Sequence, residues 1–380
     1  MGLSGCAPRT AFSASAVPVD PQASPESRAV LAYLAALTLD TRPGVIVGQN
    51  AGHGSQILNA SGLVGYEPLL GTLEKQTGEL PGLLGLDYEY DQIFTSQQLS
   101  AANRVLIAHW QQGGLVTINW SPHSPWLNDE SNLAGHPGSG DDTRTSGDHM
   151  KGVDLRLLLD PHSALHTIWY RKLDRIAAAL QELQAAGVVV LWRPMQEMNG
   201  NWFWWGTASS PNDAGPFVAV WRDMFQYLSK EKGLHNLLWV YSPSATSWTD
   251  PLQQNTKSAA WAYPGDAYVD IVSGTAYNDN LDITDYPAYL KFGKVLGMGE
   301  YGPTLGGALA RGGSFDDRLH ITRLQRDYPA IAYWVSWHDW NNGDGTQEHQ
   351  AIVSNREAGA MMQDPFALTL HRLAWKTFLK

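Results

Sequence analysis

Eight short apolar segments, mostly separated by helical patterns, limit the folds that this chain can adopt. Each segment is a near-continuous run of β-branched or large apolar residues, as in buried strands. Such strands, when they alternate with helices, pair in parallel with both faces of the sheet covered. We therefore predict an α/β protein with one (β/α)8 (TIM) barrel. The segments are residues 44–48, 81–87, 113–120, 188–191, 236–241, 269–277, 294–303 and 331–337.

Helical patterns of suitable length lie between these segments. Residues 27–39 form one, and residues 217–228 form another. A third follows Asp160-Pro161, an N-cap and first-turn pair, and ends at Gly187. The chain of 380 residues is long enough for one large barrel, to which we assign residues 26–380.

The first 25 residues have a different composition. Cys6, the one cysteine, follows Leu3-Ser4-Gly5, which resembles the lipobox of bacterial lipoproteins, although the basic and apolar segment that should precede it is missing. Residues 7–25 are rich in Ala, Ser and Pro, which is typical of a disordered tether. We predict a signal remnant and tether at residues 1–25, and an extracytoplasmic protein that is secreted, periplasmic or lipid-anchored at Cys6. A chance Gly-Cys pair is the alternative.

Composition excludes several classes of partner. The net charge of -11 and the lack of a basic stretch argue against nucleic acid. No run of 18 apolar residues occurs, so we predict no membrane span. The 16 Trp and 15 Tyr exceed what a core requires, which favours a neutral polysaccharide or oligosaccharide as substrate. We expect a monomer that needs no cofactor and no metal.

Two glutamates carry the candidate chemistry. Glu197 follows the apolar run 188–191 and precedes four aromatic residues at 202–205. Glu300 ends the apolar run that begins about a hundred residues later. In a barrel of this kind the active site lies at the carboxyl ends of the strands, so both side chains are expected in one cleft. The structural alternative is that the Arg and the Glu at the end of this strand form an ion pair that only completes the packing of the core.

Glycoside hydrolysis needs two such carboxyl groups. One protonates the leaving oxygen, while the other meets the anomeric carbon from the opposite side. A separation of about 5 to 5.5 Å makes the second group a nucleophile and retains configuration. The charge of Glu300 and the apolar tryptophan wall should both raise the pKa of Glu197, so that it stays protonated near neutral pH.

The same stretch resembles the signature of glycoside hydrolase family 26, the β-mannanase family of the large retaining (β/α)8 clan. The similarity is carried by Arg193-Pro194 and residues 197–206, and it extends to residues 113–120 and 300–302. The resemblance implies that Glu197 is the general acid/base and Glu300 the nucleophile.

The resemblance also implies roles for flanking residues. Tyr277 is expected to hydrogen-bond the nucleophile, although packing at the barrel top is an alternative, and Arg193 is expected to hold it ionised. Trp202 and Trp205 match sugar-stacking positions, and Trp337 matches a tryptophan floor. The full set of expected substrate-binding residues is Arg193, Gln196, Trp120, His123, Trp202, Trp205, Tyr277 and Trp337.

Two residues depart from the family pattern. Gln196 stands where a His usually precedes the acid/base glutamate, and Ser121 stands where the family usually has the His of Trp-His-Pro. Three functions therefore stay open. They are a retaining endo-β-1,4-mannanase for mannan, glucomannan or galactomannan, a retaining glycosidase for a β-glucan, a β-1,3-xylan or a bacterial exopolysaccharide, and a non-catalytic polysaccharide-binding lipoprotein.

Overall fold

The computed structural model describes residues 12–39, 41–53, 57–59, 62–90, 93–127, 153–247, 256–342 and 344–379. Its centre is a closed barrel of eight parallel strands, which confirms the predicted fold. Each strand pairs with the next along the chain, and the last pairs with the first. The strands are β1 (Val45–Asn50), β2 (Leu83–Asp87), β3 (Leu115–Trp120), β4 (Val190–Pro194), β5 (Leu237–Tyr241), β6 (Ile271–Tyr277), β7 (Val295–Gly302) and β8 (Ile331–Ser336).

Helices cover the outside of the barrel. The longest, α4, packs its apolar face inward because Trp169, Ile176 and Leu183 recur at helical spacing. Its N-cap is Ser163, whose Oγ accepts the N–H of Leu165 at 3.1 Å, rather than the predicted Asp160. The helices are α1 (Pro25–Ala36), α2 (Thr72–Thr77), α3 (Ser96–Gln111), α4 (Ala164–Ala185), α5 (Gly215–Gln226), α6 (Tyr286–Tyr289), α7 (Ala308–Arg311), α8 (Arg318–Arg326) and α9 (Ala358–Gln363).

Short strands complete the sheet structure. Ala367–Leu368 pairs in parallel with the first half of β1. Leu58–Asn59 and Gly62–Leu63 form one antiparallel pair, and Trp340–Asn341 and Gln347–Glu348 form another just after β8. None of the helices in the described ranges combines enough length and apolarity to cross a lipid bilayer.

The segment that leads into α1 packs against the amino-terminal end of the barrel. The N–H of Val19 donates to Asp270 at 2.7 Å, and Asp20 contacts the ring of His235 at 2.7 Å. The prediction of a disordered tether at residues 1–25 is therefore wrong for its described part, because buried polar groups at the strand starts hold this segment. Residues 1–11, including Cys6, lie outside the described residues, as do residues 128–152 of the long connection after β3.

Candidate active site

Glu300 lies on β7 where the pairing with β6 is irregular. Gly274 pairs with Met298, but the next residue, Thr275, pairs with Glu300, so Gly299 is an extra residue in a β-bulge. A Cβ at position 299 would lie 2.5 Å from Nε of Arg193, and only glycine leaves room for that side chain. Bulges next to active sites redirect a side chain. This one brings Glu300 against the guanidinium of Arg193.

Arg193 from β4 crosses the barrel mouth and pairs with Glu300. Its Nη2 donates to Oε1 of Glu300 at 2.9 Å and to the hydroxyl of Thr275 at 3.0 Å. Its Nε donates to the hydroxyl of Ser242 at 2.7 Å. The guanidinium is only 1% exposed, so its charge acts with little screening by water. Arg193 is therefore a buried, positively charged partner of the Glu300 carboxyl group.

Tyr277, the last residue of β6, contacts the other oxygen of the same carboxyl group. Its hydroxyl donates to Oε2 of Glu300 at 2.8 Å. Burial and the negative charge of Glu300 raise the pKa of Tyr277 well above its usual value. The tyrosine therefore stays protonated and can act as a hydrogen-bond donor to Glu300 across the whole neutral range.

Glu197 lies just beyond the end of β4 in a strained turn. Met195 and Glu197 both have left-handed backbone conformations, with φ of 50° and 59°. Such conformations cost about 1 to 3 kcal/mol each for residues other than glycine and persist where surrounding contacts hold them. The N–H of Met195 donates to the carbonyl of Trp120 at 2.9 Å, and the N–H of Glu197 donates to that of Ser242 at 2.7 Å.

The environment of the Glu197 carboxyl group differs from that of Glu300. Its Oε2 accepts the indole N–H of Trp202 at 2.7 Å, and Thr275 also hydrogen-bonds to it. Burial, followed by the charge of Glu300, raises the pKa of Glu197 to about 7, while Arg193 and the two hydrogen bonds act against this rise. Since Thr275 contacts Glu197 and also accepts from Arg193, the two carboxyl groups belong to one hydrogen-bonded site.

The aromatic residues at 202–205 pack against the turn that contains Glu197. Gly200 makes room for Trp202, because a Cβ there would lie 2.1 Å from the indole ring. Trp202 retains 7% exposure beside the carboxyl group. Trp205 is fully buried, stacks on Phe203 with ring centres 4.4 Å apart, and donates its indole N–H to the carbonyl of Gln196 at 2.8 Å. In this structure Trp205 supports the turn and presents no surface to a sugar, contrary to the prediction.

Trp120 also lies elsewhere than predicted. Its side chain is fully buried and points outward from β3, where it stacks between Trp169 of α4 and Trp192 of β4. Alternate residues of a barrel strand face opposite sides, so the last residue of a strand need not face the cleft. Trp120 is part of the barrel-helix core, and the prediction of a sugar contact is not supported by this packing.

The two residues that depart from the family pattern contact one another. Nε2 of Gln196 donates to Oγ of Ser121 at 2.8 Å, and this hydroxyl donates to Oδ2 of Asp87 at 2.6 Å. His123 lies close by with 2% exposure, and its backbone N–H donates to Glu89 at 3.2 Å. The sequence marks Asp87 and Glu89 only as polar ends of a strand, since the hydrogen bonds depend on the register between β2 and β3.

Two pockets lie at the carboxyl ends of the barrel strands. One pocket of about 590 Å³ is lined by Tyr277, Asn278 and Asp279, among others, after β6. A second pocket of about 630 Å³ lies at the ends of β1 and β8 and is lined by His338 and Trp340, among others. Trp337, 7% exposed, directly precedes His338, and their rings lie 5.1 Å apart.

The residues that hold Arg193 cannot be recognised from the sequence. Ser242 and Thr275 are short polar residues near the ends of β5 and β6, and nothing in their local sequence distinguishes them from other core residues. Within the described ranges, no group of three or more His, Cys, Asp or Glu side chains is placed to hold a metal ion. The site contains one carboxyl group paired with Arg193 and a second whose pKa is raised to about 7.

Comparison with known proteins identifies the family of the chain. The sequence profile of glycosyl hydrolase family 26 matches residues 19–371, nearly the whole chain. The chain belongs to glycosyl hydrolase family 26. It is therefore a glycoside hydrolase, as the strand-end glutamates and the residues around them predicted.

Individual relatives in the family are similar over most of the chain. A mannan endo-1,4-beta-mannosidase A and B of Caldalkalibacillus mannanilyticus is 33% identical over 331 residues, which cover 84% of this chain and 58% of that protein. A mannan endo-1,4-beta-mannosidase of Bacillus subtilis strain 168 is 29% identical over 92% of this chain and 87% of its own length. The solved structure of a Bacillus subtilis mannanase superimposes with a TM-score of 0.72 at 28% identity, over 93% of this chain and 94% of that one.

Proposed function

We propose that this family 26 hydrolase is a retaining endo-β-1,4-mannanase that cleaves mannan, glucomannan or galactomannan. The observation that carries the proposal is the difference between the two carboxyl groups of one site. Glu300 accepts hydrogen bonds from Arg193 and Tyr277, whereas burial and the charge of Glu300 raise the pKa of Glu197 to about 7. A retaining glycosidase requires one carboxylate and one carboxylic acid of this kind.

In the proposed first step, an oxygen of Glu300 forms a bond to the anomeric carbon as the glycosidic bond breaks. The departing oxygen takes the proton of Glu197, and the product is a glycosyl ester on Glu300. The hydrogen bonds from Arg193 and Tyr277 hold the carboxylate in one orientation while it attacks. The Glu197 that remains is ionised.

In the second step, Glu197 accepts a proton and so acts as a base. Ester formation removes the negative charge of Glu300, which is one of the causes of the raised pKa of Glu197. The pKa of Glu197 therefore falls, and its carboxylate persists until it removes a proton from the attacking water. Water displaces Glu300 from the anomeric carbon, so that two inversions leave the configuration unchanged.

The polymer and the mode of action rest on separate observations. Relatives named mannan endo-1,4-beta-mannosidase are 27–33% identical to the chain over 84–92% of its length. Pockets of about 590 and 630 Å³ lie at the carboxyl ends of the strands, one beside Tyr277 and the other beside Trp340, which gives this face of the barrel space for more than one sugar unit. That space favours cleavage within a polymer over removal of terminal units.

A second polymer is the alternative, and one observation favours it. Gln196 and Ser121 stand where the family usually carries two histidines, and they hydrogen-bond each other at 2.8 Å. A change in polar groups near a sugar hydroxyl can alter substrate preference by several powers of ten. A β-glucan, a β-1,3-xylan or a bacterial exopolysaccharide would then be the substrate.

We further propose that the enzyme is a monomer and that it acts outside the cytoplasm. The location is proposed because polysaccharides are too large to enter cells. The lipobox-like Leu3-Ser4-Gly5-Cys6 supports a lipid anchor at Cys6. Expression of the full-length gene in a bacterial host, followed by mass spectrometry of the N-terminal peptide, should show a diacylglycerol on Cys6. An unmodified Cys6 thiol would contradict the anchor and leave secretion without lipid.

The release of reducing ends from a panel of polymers tests the proposed function. Linear mannan, glucomannan, galactomannan, mixed-linkage glucan and β-1,3-xylan are incubated with the enzyme, and product sizes are read by chromatography. A ladder of oligosaccharides from the mannans is expected. No release from mannans together with turnover of another polymer would establish the alternative substrate.

A further inference from the structure

We infer that Asp87, Ser121 and Gln196 act as one hydrogen-bonded chain that positions the turn bearing Glu197. The two departures from the family pattern are then a single coupled change, and Asp87 and Ser121 are positioning residues for the reaction. The inference rests on the proposed function for the role of Glu197. The contacts link Asp87 at the end of β2 to Ser121, the residue after β3. They then link Ser121 to Gln196, the residue before Glu197.

Asp87 anchors the chain through three hydrogen bonds that it accepts. Its Oδ1 accepts the backbone N–H groups of Ser121 at 3.1 Å and Glu89 at 3.2 Å, and its Oδ2 accepts the hydroxyl of Ser121 at 2.6 Å. Asp87 and Ser121 are both fully buried. Burial raises the pKa of Asp87 above its usual value, while the hydrogen bonds from Ser121 and Glu89 act against this rise and hold the carboxyl group in the orientation of an acceptor.

The hydrogen bond from Ser121 to Asp87 fixes the direction of the hydrogen bond between Gln196 and Ser121. The hydroxyl of Ser121 has one hydrogen, which it gives to Asp87, so its oxygen can only accept from Gln196. The NH2 group of Gln196 must therefore face Ser121. The orientation of the amide follows from the donor and acceptor inventory, whereas an isolated glutamine could be turned either way.

The series of hydrogen bonds ends at Gln196, where the backbone is strained. Gln196 lies between Met195 and Glu197, which both have left-handed φ. The indole N–H of Trp205 holds the carbonyl of Gln196 at 2.8 Å, and Ser121 holds its side chain. Gln196 is 2% exposed, and its Oε1 is buried without a hydrogen-bond partner among the described residues. The side chain of Gln196 is thus enclosed by other parts of the protein.

A double-mutant cycle tests the coupling. Ser121→Ala, Gln196→Ala and the double variant are compared with the wild type on a manno-oligosaccharide and on an activated dinitrophenyl β-mannoside. Each single variant should lower kcat on the oligosaccharide about 10-fold, and the double variant should also lose about 10-fold. KM should change less than about 2-fold. The activated substrate should be almost unaffected in its first step, because it needs no acid.

Two further variants separate positioning from packing. Gln196→Glu keeps the size but replaces the NH2 donor by an acceptor, and it should lose at least as much kcat as Gln196→Ala. Gln363→Ala, a change of the same type at an exposed glutamine whose side chain bonds the carbonyl of Thr77, should be neutral. Thermal unfolding of all variants checks that the fold is retained.

Three results would overturn the inference. A loss of about 100-fold in the double variant would show that the two residues act independently. A rise in KM with unchanged kcat would make Gln196 a direct sugar contact instead. An equal loss on both substrates would mean general disruption of the site. Failure of the wild type on mannan, with turnover of another polymer, contradicts only the proposed substrate, and the same cycle on that polymer still tests the coupling.

Discussion

The two glutamates of the site are chemically identical but lie in contrasting surroundings. Glu300 sits on a barrel strand and accepts charged and neutral hydrogen bonds from Arg193 and Tyr277. Glu197 sits in a strained turn, where burial is the largest cause of its raised pKa and the indole of Trp202 is a hydrogen-bond donor. The comparison teaches that local contacts, and not residue type, distinguish the proposed nucleophile from the proposed acid.

The largest effect is expected from removal of the nucleophile. Glu300→Ala should lower kcat on mannan by about 10⁴-fold or more, because no covalent intermediate can form. Azide should partly restore turnover of an activated glycoside by occupying the vacated space. Glu74→Ala, at an exposed glutamate on α2, is the matched control and should be neutral. Ordinary activity in a verified Glu300→Ala preparation contradicts the assignment.

Removal of the acid should cost less and depend on the substrate. Glu197→Ala should lower kcat on mannan by about 10² to 10⁴-fold, the usual contribution of general acid catalysis. Formation of the glycosyl-enzyme from a dinitrophenyl glycoside should remain fast, since that leaving group needs no proton. Pre-steady-state release of dinitrophenol measures this step. Equal losses on both substrates would point to a structural role for Glu197.

Loss of one hydrogen bond to the nucleophile should have an intermediate effect. Tyr277→Phe removes the hydroxyl that lies 2.8 Å from Glu300. A hydrogen bond to a charged group contributes about 1.5 to 3 kcal/mol, so kcat/KM should fall about 10- to 100-fold. The acidic limb of the pH–activity profile should also move to higher pH. An unchanged profile would remove Tyr277 from the catalytic site.

The smallest effect concerns the pH dependence. Because the pKa of Glu197 is about 7, activity on unactivated substrates should fall as the pH rises through about 7 and the acid loses its proton. The indole N–H of Trp202 stabilises the ionised form. Trp202→Phe should therefore raise the pKa of Glu197 and shift this alkaline limb to higher pH by less than about 1 unit. A shift to lower pH would contradict the proposed contact.

The barrel could be predicted from sequence because its apolar strands are long enough to stand out from the helices between them. The apolar run predicts β4 at residues 188–191, whereas the strand is Val190–Pro194, since pairing with β3 extends the strand to the polar Arg193. The two glutamates proposed as catalytic follow from the same pattern. They lie at the carboxyl ends of strands that the barrel brings together.

The parts that could not be predicted depend on side-chain direction and register. Trp120 and Trp205 resemble sugar platforms in sequence, yet both face the core, since a strand or turn residue can point to either side. The link from Asp87 through Ser121 to Gln196 joins residues 34 and 75 positions apart and exists only once β2, β3 and β4 are in register. The left-handed backbone of Met195 and Glu197 has no sequence signal either.

Covalent trapping tests the contrast between the two glutamates most directly. The enzyme is incubated with 2-deoxy-2-fluoro-β-mannosyl fluoride, whose fluorine slows hydrolysis of the ester, and peptides of the digested protein are examined by mass spectrometry. The account predicts one added fluoromannosyl group on the peptide that contains Glu300, and none on the peptide that contains Glu197. A label on Glu197, or release of the inverted sugar without any label, would contradict the assignment of the two roles.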